Sequence, residues 1–452
     1  MHPELRAESP ANSIARPEGQ ARGIEPRCWR LGTKIAFRFA FVYFLLYTLY
    51  FPLHLLAIPP VLQISRLYFS LWSAAVPWVS SQFLHLSHDF SKDYLNTVAG
   101  SKDTTFVYVE AFCYLMIALL ATVIWSLLDR QRRNYEWLHK WFLVYLRLNL
   151  ATGMIAYGVA KLFPLQFAPP SLSKLLETYG ESSPMGLMWT FMGASRIYSI
   201  FGGASEVLAG LLLVVPRLAT LGALVCIGVM SNVLTLNLGY DIPVKLGSIH
   251  LILIAGFVVA PDLKRLSDFF VLNRRVEAAP ARPLFRRKRL NQAAIALQVA
   301  FGLVLLTYNL YHSRNKAEQM IEARDTAPLY GIWSVDEFKI GGEVRPPLLT
   351  DPIRWNRLIV ESNQDAAVQP MSGPIKHLYL HFDRQNRTFM LTGGELYGSA
   401  EFNYENPQPD TLILNGTMGG QPVSIKLHKE DESKFLLNSR GFHWIEEHSV
   451  NR

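Results

Sequence analysis

Cysteine is scarce in this chain: Cys28, Cys113 and Cys226 are the only three in 452 residues, and they lie far apart. They have no disulfide, zinc or haem spacing, so the fold is not organised by a cysteine framework. Charge is also sparse, at 18% of residues. A glycine-rich phosphate loop, a Gly-x-Ser-x-Gly elbow and a nucleophile triad are all missing. No motif names a reaction.

What the chain does have is apolar sequence gathered into blocks. Half of the residues are hydrophobic, the signature of a polytopic membrane protein rather than of one large soluble core. The net charge of +8 does not call for nucleic acid, because Lys and Arg sit beside the apolar blocks, where they set orientation in a bilayer.

Residues 1–30, rich in Pro, Arg, Glu and Ala, read as a disordered cytoplasmic tail. Residues 31–140 hold two spans, Ile35–Leu56 (with Pro52 as an outer kink) and Phe106–Leu128, around an external loop. Within that loop Pro60–Leu84 is apolar but broken by Arg66 and Pro77, and reads as an interfacial or re-entrant helix. His85 and His88 share a spacing of three with no third ligand, so they read as a solvated surface pair and no metal is expected. Residues 141–265 form four spans, Trp141–Leu162, Ile197–Val215, Leu221–Leu236 and Val244–Val259. A basic cytoplasmic loop (266–290), a seventh span (291–310) and an external β-domain (325–452) follow. Seven spans satisfy the positive-inside rule throughout: the N-terminus and the Lys264–Arg289 cluster fall in the cytoplasm, and the β-domain falls outside.

The four central spans carry groups that a bilayer excludes: Tyr157, Lys161, Arg196, Glu206, Asn232, Asp241, Lys245 and His250. An ionisable residue in a span costs roughly 2.5–3.5 kcal/mol on insertion scales, and so it faces a bundle interior, a partner or water. Tyr157 and Lys161 are one turn apart. Glu206 lies midway along its span between Gly202 and Gly210, small residues that admit a neighbouring helix, and its expected cation is Lys161, Arg196 or Lys245. Asp241 and Lys245 pair across a tight connection. Arg147, near the inner end of its span, reads equally as a snorkelling side chain. Most of these groups lie in the outer half, so the expectation is an outward-facing polar cavity. It would take a quinone or another amphipathic ligand, His250 being able to bond such a ring.

In the β-domain, strand-like runs occur at Ile332–Ile340, Trp355–Glu361, His377–Phe382, Thr388–Leu391, Ala400–Tyr404, Thr411–Leu414, Val423–Leu427, Phe435–Leu437 and Phe442–Ile445. Gly393-Gly394, Asn406-Pro407 and Gly419-Gly420 supply turns. A small antiparallel barrel or a sandwich fits this pattern. Gly331-Ile332-Trp333 with a later Arg440 able to stack on the indole resembles the lipocalin-type closure.

Two stretches of the bundle carry a family resemblance. Arg147-Leu148-Asn149 with Ala156-Tyr157-Gly158-Val159-Ala160-Lys161-Leu162 resembles the first helix of the DoxX/DoxD-like membrane proteins. Gly203-Ala204-Ser205-Glu206-Val207-Leu208-Ala209-Gly210, followed by Pro216-Arg217, resembles that family's second helix with its glutamate and basic turn. The resemblance implies a four-helix bundle over 141–265 in a bacterial inner membrane, and a link to quinone-dependent electron transfer. The thiosulfate chemistry of some members is not carried over. The extra N-terminal spans and the β-domain depart from the family's minimal pattern. The rival expectation is an envelope scaffold whose β-domain recruits a protein partner.

Overall fold

The computed structural model describes residues 28–49, 59–90, 103–278, 283–393 and 399–450. The expected tail up to residue 27, the Pro52 kink and the stretch holding Lys92 and Asp93 lie outside the described residues. Twelve α-helices are described: α1 (Leu31–Thr48), α2 (Pro59–Val79), α3 (Thr105–Leu128), α4 (Glu136–Leu162), α5 (Leu172–Leu176), α6 (Pro184–Ala194), α7 (Arg196–Val214), α8 (Ala219–Gly239), α9 (Lys245–Val259), α10 (Leu263–Phe270), α11 (Lys288–Asp325) and α12 (Leu436–Ser439). Among the described residues, seven helical stretches are long and apolar enough to cross a membrane: α1, α3, α4, α7, α8, α9 run on into α10, and α11. Capping residues set several starts. Thr104 accepts a hydrogen bond from the Val107 amide before α3, and Ser195 does the same for Tyr198 before α7.

Helix α2 is not one of the seven. Its Tyr68 hydroxyl donates to the Leu46 carbonyl at 2.6 Å, and Trp72 packs edge-on against Tyr114 at 4.8 Å. Helix α11 runs far beyond the expected Asn291–Tyr308, because 38 residues at 1.5 Å each make about 57 Å of helix. Its polar second half, with the exposed Arg314–Glu318 pair, leads into the β-domain.

The polar ends sort into two groups. At one end the Trp29 amide meets the Arg133 carbonyl, Trp141 meets Phe285, and the Thr220 hydroxyl meets Asp262. At the other end Asp103 caps α9, and the β-domain sits on α5. This grouping is the up-and-down alternation of the long helices.

The β-domain is a closed eight-stranded antiparallel barrel. Its strands are β1 (Gly331–Ile340), β3 (Trp355–Val360), β4 (Asp365–Pro370), β5 (Lys376–Asp383), β6 (Thr388–Thr392), β7 (Ala400–Gln408), β8 (Thr411–Met418) and β9 (Gln421–Lys429), with β9 returning to β1. The short β2 (Glu343–Val344) pairs only with the end of β1. Alternate side chains fill the interior: Trp333, Phe338, Trp355, Phe389 and Phe402 are all buried there. The open choice between barrel and sandwich therefore resolves to a barrel.

Closure explains two corrections, and a bulge explains a third. Phe435–Leu437 and Phe442–Ile445 are not strands; the first lies at the short helix α12 and the second is exposed coil. Once β9 bonds to β1, no edge is left for them to join. Asn406-Pro407 is not a turn but part of β7, where the pairing register shifts between Glu405 and Gln408, the kind of bulge that tolerates proline.

At the seam the cation over Trp333 is Lys429 of β9, with Nζ 5.8 Å from the ring, whereas Arg440 pairs with Glu446. The Trp333 indole donates to the Leu329 carbonyl at 2.9 Å. Gly331 has φ +137°, and a Cβ there would stand 2.5 Å from Lys429 Cε, so the seam requires glycine.

Next to it, Glu430 accepts from the Ser334 hydroxyl and from Arg357 Nε. Burial alone pushes the Glu430 carboxyl up, but these two donors more than offset it and hold it below its ordinary 4.5. A depressed carboxylate contributes stability above its unfolded pKa, and that contribution is lost as pH falls through the folded value. The barrel is therefore expected to weaken on acidification below about pH 4.5, and Glu430→Gln to flatten this part of the pH profile. Thermal melts of both proteins across pH 3–7 check it.

The barrel docks on the loop after α4. Glu361 accepts from the Leu172 amide (3.0 Å), the Ser173 amide (2.7 Å) and the Ser173 hydroxyl (2.8 Å), while Leu172 packs on Ile332, Ile359 and Ala367. Glu361→Ala removes all three charge-assisted bonds. It is expected to weaken docking by about 1.5–3 kcal/mol, read as faster hydrogen exchange at the Leu172 and Ser173 amides.

Candidate functional site

The central packing is that of α4 against α7. A Cβ on Gly158 would stand 2.7 Å from the Gly203 carbonyl, and one on Gly203 would stand 2.6 Å from the Gly158 carbonyl. The two backbones touch at these residues. Gly202, named from the sequence, faces open space, so the close approach belongs to Gly203. This contact brings Lys161 down onto Glu206: Nζ donates to Oε1 at 2.9 Å and to Oε2 at 2.8 Å, with both residues buried. Of the three expected cations, Lys161 is the one that pairs with Glu206.

A second cluster forms where α1 meets α9. The Tyr43 hydroxyl and His250 Nε2 are 2.8 Å apart, and His250 Nδ1 lies 2.8 Å from the Leu246 carbonyl one turn earlier. A carbonyl can only accept, so Nδ1 carries the proton and Nε2 accepts from tyrosine. The Tyr47 ring stacks on the imidazole with centroids 3.9 Å apart. Tyr157, one turn before Lys161 on α4, and Glu110 of α3 both lie near the Tyr47 hydroxyl. Glu110 in turn lies beside the Tyr114 side chain, one turn along α3. A band of titratable groups thus crosses the helices in the half nearer the barrel, from Glu206 through Lys161, Tyr157 and Tyr47 to His250.

Asp241 and Lys245 pair at 2.8 Å above this band, where the lysine's hydrogen bond holds the exposed Asp241 carboxyl below its usual range. Asp103 completes the rim by accepting from the Lys245 amide (2.7 Å) and the Leu246 amide (3.1 Å), a cap supplied from another segment at the positive end of α9.

No family model matches the chain, and no solved structure matches it. Among curated proteins, the uncharacterized protein YwoB of Bacillus subtilis (strain 168) is 30% identical over 141 residues, which are 31% of this chain and 87% of YwoB. The chain belongs to the YwoB family. The relative is much the shorter protein, so a large part of this YwoB-family chain lies outside the match.

Of the eight residues expected to line one site, Tyr157, Lys161, Glu206 and His250 fall on the band, and Asp241 and Lys245 form its rim. Arg196 and Asn232 do not join them. The Arg196 guanidinium instead donates to the Leu162 carbonyl at 2.5 Å, closing the end of α4. Asn232 is exposed on α8, whereas Asn237, five residues on, is buried and donates to the Ser248 hydroxyl at 2.7 Å. Arg147 does not snorkel: it is buried and donates to Gln298 of α11.

Sequence reasoning missed Tyr43, Tyr47, Glu110 and Asp103. Glu110 did carry a signal, being the lone charged residue within α3. The tyrosines did not, because aromatic residues near a span end read equally as interfacial anchors.

Proposed function

We propose that this YwoB-family protein spans a bacterial inner membrane and binds a quinone-like amphipathic ligand in the outer half of its helices, as a redox-accessory protein. The observation that carries the reading is the Tyr43–His250–Tyr47 group: a neutral imidazole stacked on one phenol and bonded to another. Aromatic faces suit a flat ring, and the Tyr43 hydroxyl, donating its proton to the bond with His250 Nε2, holds the imidazole in place against the Tyr47 ring. Glu110 and His250 are groups through which protons can reach such a ring. The resemblance to DoxX/DoxD-like proteins supports the same assignment, and the distribution of basic residues supports a cytoplasmic N-terminus with the barrel outside. The test is titration of the detergent-purified protein with a short-chain quinone. His250→Ala and Tyr43→Phe are expected to weaken binding about tenfold or more, and Asn232→Ala to leave it unchanged. Equal binding by all four proteins would remove the band from the account.

A second reading is favoured by the barrel itself. Its interior is filled by Trp333, Phe338, Trp355, Phe389 and Phe402, so it works through its surface, as a scaffold that recruits a protein partner does. That reading expects the band to tolerate alanine while barrel surface changes abolish partner capture.

A further inference from the structure

Helix α10 and the chain after it make a surface that the proposed ligand band does not use. The sixth apolar stretch does not end at Val259; it turns through Ala260–Asp262 into α10, Leu263–Phe270. There Leu263, Phe269, Phe270 and Val271 expose between 57% and 76% of their surface, an apolar strip continuous with the end of a span. Around the strip the sequence is strongly basic. Lys264, Arg274, Arg275, Arg286, Arg287, Lys288 and Arg289 are exposed, and none has an acidic partner among the described residues. Arg265 is the exception, paired with Asp262 at 3.3 Å.

The basic segment is also held in place. Asn291 accepts from the Phe285 amide at 2.9 Å and donates back to the Phe285 carbonyl at 2.5 Å, and the Phe285 ring packs edge-on against Trp141 at 5.6 Å. Four cations in succession, Arg286–Arg289, are thereby fixed at the start of α11, beside the start of α4. The first turn of α11 has no acidic residue, so its positive backbone end adds to the field rather than offsetting it.

We infer that this surface is a binding site for anionic phospholipid, with the Phe269–Val271 strip entering the leaflet and the Arg286–Arg289 run taking the phosphates. Apolar residues flanked by uncompensated cations at a membrane face match the two halves of such a lipid, acyl chain and charged headgroup. The inference rests on the membrane-spanning reading and is independent of what the outer band binds.

The experiment reconstitutes the full chain into nanodiscs of phosphatidylcholine with phosphatidylglycerol, and counts the phosphatidylglycerol retained after release into detergent by native mass spectrometry. Replacement of Arg286, Arg287, Lys288 and Arg289 by Gln is expected to reduce retained phosphatidylglycerol at least about tenfold, since each cation near a charged surface is worth roughly fivefold in binding. Phe269→Ser with Phe270→Ser is expected to reduce it as well, in a protein that still purifies with an unchanged melting temperature. Replacement of Arg130, Arg132 and Arg133 by Gln at the same end of the helices is the control and is expected to leave retention near wild type. Equal losses from both arginine sets would show nonspecific surface charge and overturn the inference. So would full retention by the Arg286–Arg289 variant, or binding of that segment to RNA or an acidic protein in place of lipid.

Discussion

Glu206→Ala destabilises the helical region by about 3–5 kcal/mol, because it leaves the Lys161 ammonium buried with neither of its two carboxylate bonds. The desolvation cost of a buried cation falls on the folded state alone once its partner is gone. Removing both charges gives a different result. Lys161→Met combined with Glu206→Leu keeps the volume, eliminates the buried charge, and is expected to restore most of the lost stability. Unfolding of the single and double variants in nanodiscs, followed by helical signal, separates the two cases. A double variant as unstable as Glu206→Ala would mean that the loss does not come from the buried charge left behind.

Gly203→Val is expected to lower stability by about 3 kcal/mol or more, while Gly202→Val next to it changes little. At Gly203 a Cβ meets the Gly158 carbonyl at 2.6 Å and the Lys161 Cβ at 2.9 Å, so a branched side chain forces α4 and α7 apart. Overpacking by itself typically costs 1–3 kcal/mol, and separation also breaks the bidentate geometry of Lys161 with Glu206. Gly202 meets nothing within 4 Å. The contrast between adjacent positions is what melting temperatures of the two variants test, since a general loss of helix flexibility would move both alike.

The same pair of glycines shows where sequence reading stopped. Apolar blocks with basic turns marked the long apolar helices, because length and charge are local properties. Helical phase is not local. Gly202 and Gly203 are equally small, and only the position of α4 decides which of them touches it. The Tyr43–His250 bond joins residues 207 apart in the chain, and no periodicity within either helix encodes it.

In the barrel, strong alternation marked β5 and β9. Strand β4, Asp365-Ala-Ala-Val-Gln-Pro, went unread because it is short, rich in alanine and covered on both sides, with Ala367 packed under Leu172. Phe442 and Trp444 looked like a closing strand because they are aromatic. The ring was already complete at β9.

The proposed function stands on an amphipathic ligand held at the Tyr43–His250–Tyr47 group. Native mass spectrometry of the full chain, extracted from its membrane in mild detergent and released in the gas phase, tests it most directly. A small molecule of the quinone class is expected on the wild type and absent from His250→Ala, with Asn232→Ala behaving as wild type. A wild-type protein that carries no such molecule, or one whose bound molecule is indifferent to His250→Ala, would contradict it.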